Sequence, residues 1–164
     1  MAADLARHGI AAGDRVGLAG NNSARHIAAL FGIGRVGAVA VPINPRLLEA
    51  ESEALLSHAS AAARLDVDVA TGAREIRTRL RAGAGRDPDA SADAVLAYTS
   101  GTTGNPKGVV YSHRSVVLHT FGAMMADPPG VTQREVILPV VPVFHPHPWR
   151  LHHAGLAPGA TPVP

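Results

Sequence analysis

The chain has 164 residues, of which 46% are apolar and 4% aromatic, with a formal charge of +2 and no cysteine. That suffices for one ordinary domain with a core of alanine, valine, leucine and isoleucine, and it is too apolar for a disordered chain. It excludes disulfides, thiolate metal sites and a cysteine nucleophile, and the small net charge gives no argument for nucleic acid. No apolar run reaches the ~18–20 residues of a membrane span. Nothing after Met1 resembles a signal peptide, so the expectation is a soluble, cytoplasmic protein without an integral membrane span.

Ala2 to His8 reads as a helix closed by Gly9. It starts without a capping residue, which predicts that the beginning of a larger domain is missing. Residues 12–14 form a turn, and Arg15 to Ala19 is a short apolar strand. Asn22 or Ser23 can cap the helix that follows, which runs to about Gly34 with Ile27, Leu30, Phe31 and Ile33 at helical spacing. Ala38 to Ile43 is the next strand, and Pro42 marks it as an edge strand or a strand terminus. Strand, helix, strand at this length is a βαβ unit, and the fold class is therefore α/β with a mostly parallel sheet flanked by helices.

Arg46 to about Ala63 is rich in alanine and leucine and reads as a helix. Leu65 to Ala70 is a candidate short strand, and Glu75 to Ala82 a short basic helix. Arg81 to Asp93 has the composition of a loop or linker. Ala94 to Tyr98 is a strand, Gly108 to Tyr111 its return strand, and Ser112 caps a helix over 113–126 that Pro128, Pro129 and Gly130 end. Glu135 to Val141 is predicted as another buried strand. The remainder, from Pro142 to Pro164, reads as a loop leading into a strand that is not reached.

Between the two strands lies the stretch YTSGTTGNPKG, Tyr98 to Gly108. Glycines let backbone N–H groups approach phosphate oxygens closely. Ser100, Thr102 and Thr103 add hydroxyl donors, and Lys107, the only lysine among 15 basic residues, adds a mobile charge. A plain surface hairpin is the alternative, against which the density of glycine, threonine and lysine argues. A Walker A loop is excluded, because that motif places glycine before the lysine and a hydroxyl residue after it, whereas here Pro106 precedes Lys107 and Gly108 follows.

Three other patterns carry less. Gly32, Gly34 and Gly37 spell GxGxxG, but they end a helix and enter a strand, the reverse of a dinucleotide fingerprint. His145, His147, His152 and His153 could bind zinc as a histidine-rich metal module. Pro146 and Pro148 interrupt any element that would aim them, so polar loop residues are the preferred reading and no metal ligand is assigned. The arginines at 74, 77, 79, 81 and 86 suit a solvated helix flank, and without interleaved aromatics they do not suggest single-stranded nucleic acid.

The segment YTSGTTGNPKGVVYSHRS, Tyr98 to Ser115, resembles the signature of the AMP-forming, adenylate-forming superfamily of acyl-CoA synthetases, luciferases and adenylation domains. Gly13 to Leu47 is similar to the opening of the same N-terminal domain. The stretch from Leu138 to Trp149, with PVFH and a tryptophan beyond it, is most similar to medium- and long-chain fatty acyl-CoA synthetases. The resemblance implies activation of a carboxylic, here fatty, acid by ATP and Mg²⁺ to an acyl-adenylate, followed by transfer to coenzyme A. It implies phosphate-binding roles for Thr99, Ser100, Gly101, Thr102, Thr103, Gly104 and Lys107. It implies a catalytic place for His145 beside the acyl and α-phosphate site, and an acyl pocket formed with Trp149.

Against the family pattern, residues 1–63 read as a first βαβ part, 64–93 as a shortened linker region and 94–164 as the nucleotide-loop part of a partial N-terminal domain, with the C-terminal domain absent. Pro146, Pro148 and Arg150 depart from the smaller or apolar residues usual around the acyl pocket. These departures predict that the chain alone is inactive, a non-catalytic ATP-binding remnant being the alternative. A half-built sheet further predicts self-association.

Overall fold

The computed structural model describes residues 1–67, 74–78, 89–99, 106–125, 130–145 and 149–162. Four parallel strands form its centre in the order β3 (Ala63–Val67), β1 (Arg15–Gly20), β2 (Val39–Ile43) and β5 (Asp93–Thr99). Each edge is antiparallel: β4 (Arg74–Thr78) pairs with β3, and β6 (Lys107–Ser112) pairs with β5. This is the expected α/β class with a mostly parallel sheet.

Strand alternation assigns each face of the sheet its own core. Val16 and Leu18 of β1, Leu65 of β3 and Val95 and Ala97 of β5 turn to one face. There they meet Leu5 of α1 (Ala2–Arg7) and Ala29, Leu30 and Ile33 of α2 (Ala24–Arg35). Val39, Val41 and Ile43 of β2 and Leu96 of β5 turn to the other face and meet Leu56 of α3 (Glu49–His58). The approach there is close: a Cβ on Gly17 would stand 2.3 Å from Leu56 Cδ2. α2 begins where its capping chemistry says it should, with the Ser23 hydroxyl accepting the His26 N–H at 3.1 Å. The sequence GxGxxG does lie at the end of α2 and the entry to β2, with Gly32 and Gly34 inside the helix.

Several expected elements change. Pro42 lies in an interior strand, so the edge alternative is wrong and the terminus alternative right. It stands opposite Leu18, past the single Ala40–Val95 pairing with β5. The helix expected over Arg46 to Ala63 is shorter: α3 ends at His58, Ser60 turns the chain with φ 52°, and Ala63 already opens β3. Alanine favours a helix by propensity, and burial of Ala61, Ala62 and Ala63 against the sheet overrides it, which the run alone did not show.

The basic helix expected over Glu75 to Ala82 is instead the edge strand β4 through Thr78, the rest lying outside the described residues. Its charges belong to a cross-strand network. Arg64 reaches Asp66 at 3.0 Å and Glu49 at 2.9 Å, and Arg77 reaches Asp66 at 2.9 Å.

Beyond β6, α4 (His113–Met124) is capped by Ser112 as expected, its hydroxyl accepting the Ser115 N–H at 3.2 Å. The strand expected over Glu135 to Val141 shrinks to β7 (Val136–Ile137), which pairs in parallel with β8 (Thr161–Pro162). The tail read as loop contains α5 (Trp149–Leu156). α4, α5 and β7 share a small third core around Ala123, Val131, Ala154 and Ala160.

Candidate functional site

The carboxyl ends of β1, β2 and β5 point the same way, and that edge of a parallel sheet is where ligands bind in open α/β folds. β5 delivers Thr99 there. β6 starts from the same edge with Lys107, and the two are a cross-strand pair. The Thr99 hydroxyl donates to the Lys107 carbonyl at 3.4 Å. The loop between them therefore leaves and re-enters the sheet at adjacent positions. Lys107 is exposed, and no carboxylate among the described residues pairs with its ammonium. Ser100, Gly101, Thr102, Thr103 and Gly104 lie outside the described residues.

One residue before the loop, Tyr98 is held from the α3 side. Its hydroxyl lies 2.7 Å from His58 Nδ1, and the two rings meet edge to face with centroids 5.6 Å apart. Burial raises the phenol above its ordinary value, and the nearby Arg15 guanidinium opposes that. Arg15 is fixed in turn by donating to the Ala59 carbonyl at 2.9 Å.

The loop after β1 does more than cap a helix. Asn22 Nδ2 donates to the carbonyls of Pro139 at 2.7 Å and Val141 at 3.0 Å. Its Oδ1 accepts the Val143 N–H at 2.8 Å. One side chain thus fastens the whole 139–143 segment to the carboxyl end of β1. His145 follows immediately, exposed, with its N–H donating to the Pro142 carbonyl at 3.0 Å and its ring against Phe144. Trp149 opens α5, and nothing further is described of its side chain. Among the described residues no hydrogen bond joins His145 to Thr99 or Lys107. The structure brings Thr99 and Lys107 together and leaves His145 on a separate, clasped segment.

The other histidines of the tail are divided. His152 is buried and His153 packs its ring on Phe31 of α2, with centroids 4.9 Å apart, while His147 lies outside the described residues. His26, 2% exposed on α2, is lowered to about 4 by burial first and by His152 second. Among the described residues no group of three or more His, Cys, Asp or Glu side chains is placed to hold a metal ion. No helix among them is long and apolar enough to cross a membrane.

The family description "AMP-binding enzyme" matches this chain over residues 1–86 and 76–164. The chain belongs to that family. Among its curated relatives, a long-chain-fatty-acid–CoA ligase of Thermus thermophilus is 36% identical over 94% of this chain and 34% of its own length. A medium-chain-fatty-acid–CoA ligase of Ectopseudomonas oleovorans is 32% identical over 98% of this chain and 36% of its own. This chain thus spans about one third of the length of these relatives. Among solved structures, the inhibitor-bound N-terminal domain of FACL13 from Mycobacterium tuberculosis matches with a TM-score of 0.77 and 31% identity, over 98% of this chain and 46% of that one. Apo MatB from Rhodopseudomonas palustris matches with a TM-score of 0.82 and 20% identity, over 98% of this chain and 36% of that one, which is a likeness of fold.

Asn22, His58 and Tyr98 are the residues that sequence reasoning missed as site supports. Asn22 was legible only as a cap, because its partners lie more than a hundred residues away. Nothing local to position 58 signals a tyrosine partner forty residues on.

Proposed function

We propose that this chain supplies the phosphate-gripping wall of an ATP-dependent acid–thiol ligase. In the proposed reaction a fatty carboxylate oxygen attacks the α-phosphorus of ATP, the bond to the β-phosphate oxygen breaks, and pyrophosphate leaves. The sulfur of coenzyme A then attacks the acyl carbonyl and displaces AMP. The observation that carries this reading is the Thr99–Lys107 pair, which sits at the carboxyl edge of the sheet where the loop leaves and re-enters, with no carboxylate among the described residues paired to the Lys107 ammonium. The names of the relatives at 36% and 32% identity support the same chemistry.

In this role the backbone of Gly101 and Gly104 and the hydroxyls of Thr99, Ser100, Thr102 and Thr103 hold the β- and γ-phosphates, while Lys107 neutralises the charge that builds on the departing pyrophosphate. His145, carried on the segment that Asn22 clasps, stands by the acyl and α-phosphate groups, and Trp149 lines the acyl pocket. Magnesium would come with the nucleotide and would supply neutralisation of phosphate charge. The described side chains do not form a cage for it, so no step is assigned to a metal held by this chain. Reliance on ATP and coenzyme A suits the cytoplasm.

The test is calorimetry with Mg-ATP. A hydrogen bond to a charged group contributes about 1.5–3 kcal/mol, so Lys107→Ala weakens binding about 10- to 100-fold. An unchanged affinity would remove the phosphate role. Because the chain spans 34% of the Thermus ligase, a second reading is nucleotide binding without turnover. Pyrophosphate exchange into ATP with a fatty acid present separates the two, and we expect the chain by itself to show little.

A further inference from the structure

The phosphate loop has two legs, and one side chain touches both. Tyr98 precedes Thr99 on the leg that β5 carries. It stands opposite Gly108, which follows Lys107 on the leg that β6 carries. Its ring lies over that glycine: a Cβ on Gly108 would stand 3.5 Å from Tyr98 Cε1 and 3.6 Å from Cζ. Those are contact distances, so the ring rests on the backbone of the opposite strand. Leu96, two residues earlier on the same face of β5, closes in from the side, its Cδ1 2.9 Å from the same point.

A ring lying on a strand can still slide along it, and the hydroxyl opposes that. The hydroxyl meets His58 Nδ1 at 2.7 Å, with the two rings edge to face. His58 is the last residue of α3. That end of the helix is itself fixed to β1. Leu56 is fully buried and reaches Gly17, and the Ala59 carbonyl accepts from Arg15 at 2.9 Å. Tyr98 therefore ties both legs of the loop to a helix end anchored on the centre of the sheet.

We propose that Tyr98, held by His58, is a positioning residue of the phosphate loop: it sets the separation of the Thr99 and Lys107 legs and, through them, the grip on Mg-ATP, and this rests on the nucleotide-binding role proposed above. Neither side chain has to touch the nucleotide. A neutral imidazole nitrogen accepts from the phenol, and a protonated one donates to the phenol oxygen. The contact survives in both states and acts by geometry rather than by charge.

The experiment is calorimetry of the whole chain with Mg-ATP, at a temperature where circular dichroism shows every variant folded. His58→Ala is a change at an exposed position, and Tyr98→Phe keeps the ring over Gly108 while removing its hydroxyl. Each should weaken the affinity about 2- to 10-fold, the worth of one neutral hydrogen bond. The double variant should lose no more than either single one. His58→Gln, whose amide can again meet the hydroxyl, should restore the parent affinity. The ratio of His58→Ala to parent should be the same at pH 6 and pH 8. Lys107→Ala is the reference. If it weakens binding and the two contact variants do not, the positioning role is overturned and the phosphate reading stands. If Lys107→Ala has no effect either, or the chain binds no Mg-ATP, both fall. Additive losses, or a His58→Ala loss confined to pH 6, would overturn the positioning role by showing that His58 acts on the nucleotide as a charge and not through Tyr98.

Discussion

Asn22 offers the sharpest test of how the site edge is held together. Its amide makes three hydrogen bonds to main-chain groups of residues 139, 141 and 143, at 2.7, 3.0 and 2.8 Å. Each such bond contributes about 0.5–1.5 kcal/mol net. Two of the three are only part-buried and one is exposed, so water replaces some of what is lost, and Asn22→Ala is expected to cost about 2 kcal/mol. Asn22→Asp is the discriminating variant. It keeps an acceptor for the Val143 N–H but turns a carboxylate toward the two carbonyl oxygens that Asn22 now donates to. It is expected to be at least as damaging as alanine. Hydrogen exchange at the Val143 amide measures the effect locally: 2 kcal/mol corresponds to roughly 30-fold faster exchange. If Val143 exchanges at the same rate in Asn22→Ala, or if the aspartate variant matches the parent in urea unfolding, the clasp does not hold the segment.

The remaining expectations rest on equally local geometry. Gly20 has φ 151°, and a Cβ there would stand 2.8 Å from the Val67 carbonyl oxygen, so Gly20→Ala should lose about 2–3 kcal/mol in urea unfolding. Gly34, inside α2 with open space around it, should gain about 0.5–1 kcal/mol as alanine, and the opposite order of the two variants would contradict the packing described. The folded value of His26, about 4, lies below its ordinary 6.5, so the unfolded chain takes up the proton more readily. Stability is therefore full above about pH 6.5 and falls by about 3 kcal/mol as the pH drops toward 4. His26→Gln should remove that part of the slope, and an unchanged slope would refute the assignment. Tyr98→Phe and His58→Ala each remove the 2.7 Å contact before the loop and should cost about 1 kcal/mol apiece. In a double-mutant cycle the two losses should overlap, and additive losses would show that the contact contributes nothing.

What could be read from the chain before folding follows from how far each signal reaches. Ser23 and Ser112 act on N–H groups three residues away, and both caps were legible. The strand–helix–strand order from Arg15 to Ile43 was legible for the same reason, since one period of apolar residues decides each element. The Thr99–Lys107 hairpin was legible because two apolar strands flank a dense polar turn. What failed is non-local. Arg77 suits a basic helix by composition, and it is the antiparallel pairing with β3, where Arg77 stands opposite Arg64 and reaches Asp66, that makes it part of a strand. The tail helix α5 was hidden by the prolines before it, although it packs its His153 ring on Phe31, over a hundred residues upstream. The short β7 is a strand only because Thr161 and Pro162 arrive beside it.

The way the loop is closed bears on how it can hold an anion. In loops that open a helix, backbone N–H groups and the helix dipole both face the phosphate. Here β5 is followed by an antiparallel strand, and sheets have only small net dipoles. Among the described residues no helix terminus stands behind Lys107, which pairs across the ladder with Thr99. In the proposed role, positive charge at this position must therefore come from a side chain, and the loop ends on the only lysine in the sequence. A compact ammonium on a flexible stem can follow a pyrophosphate as it departs, whereas a planar guanidinium fixes two oxygens at once. Lys107→Arg should therefore retain most ground-state affinity for Mg-ATP while failing to restore turnover in an assembled enzyme. Equal turnover with arginine would mean that the site needs only a charge there, and that the mobility of the lysine has no part in the chemistry.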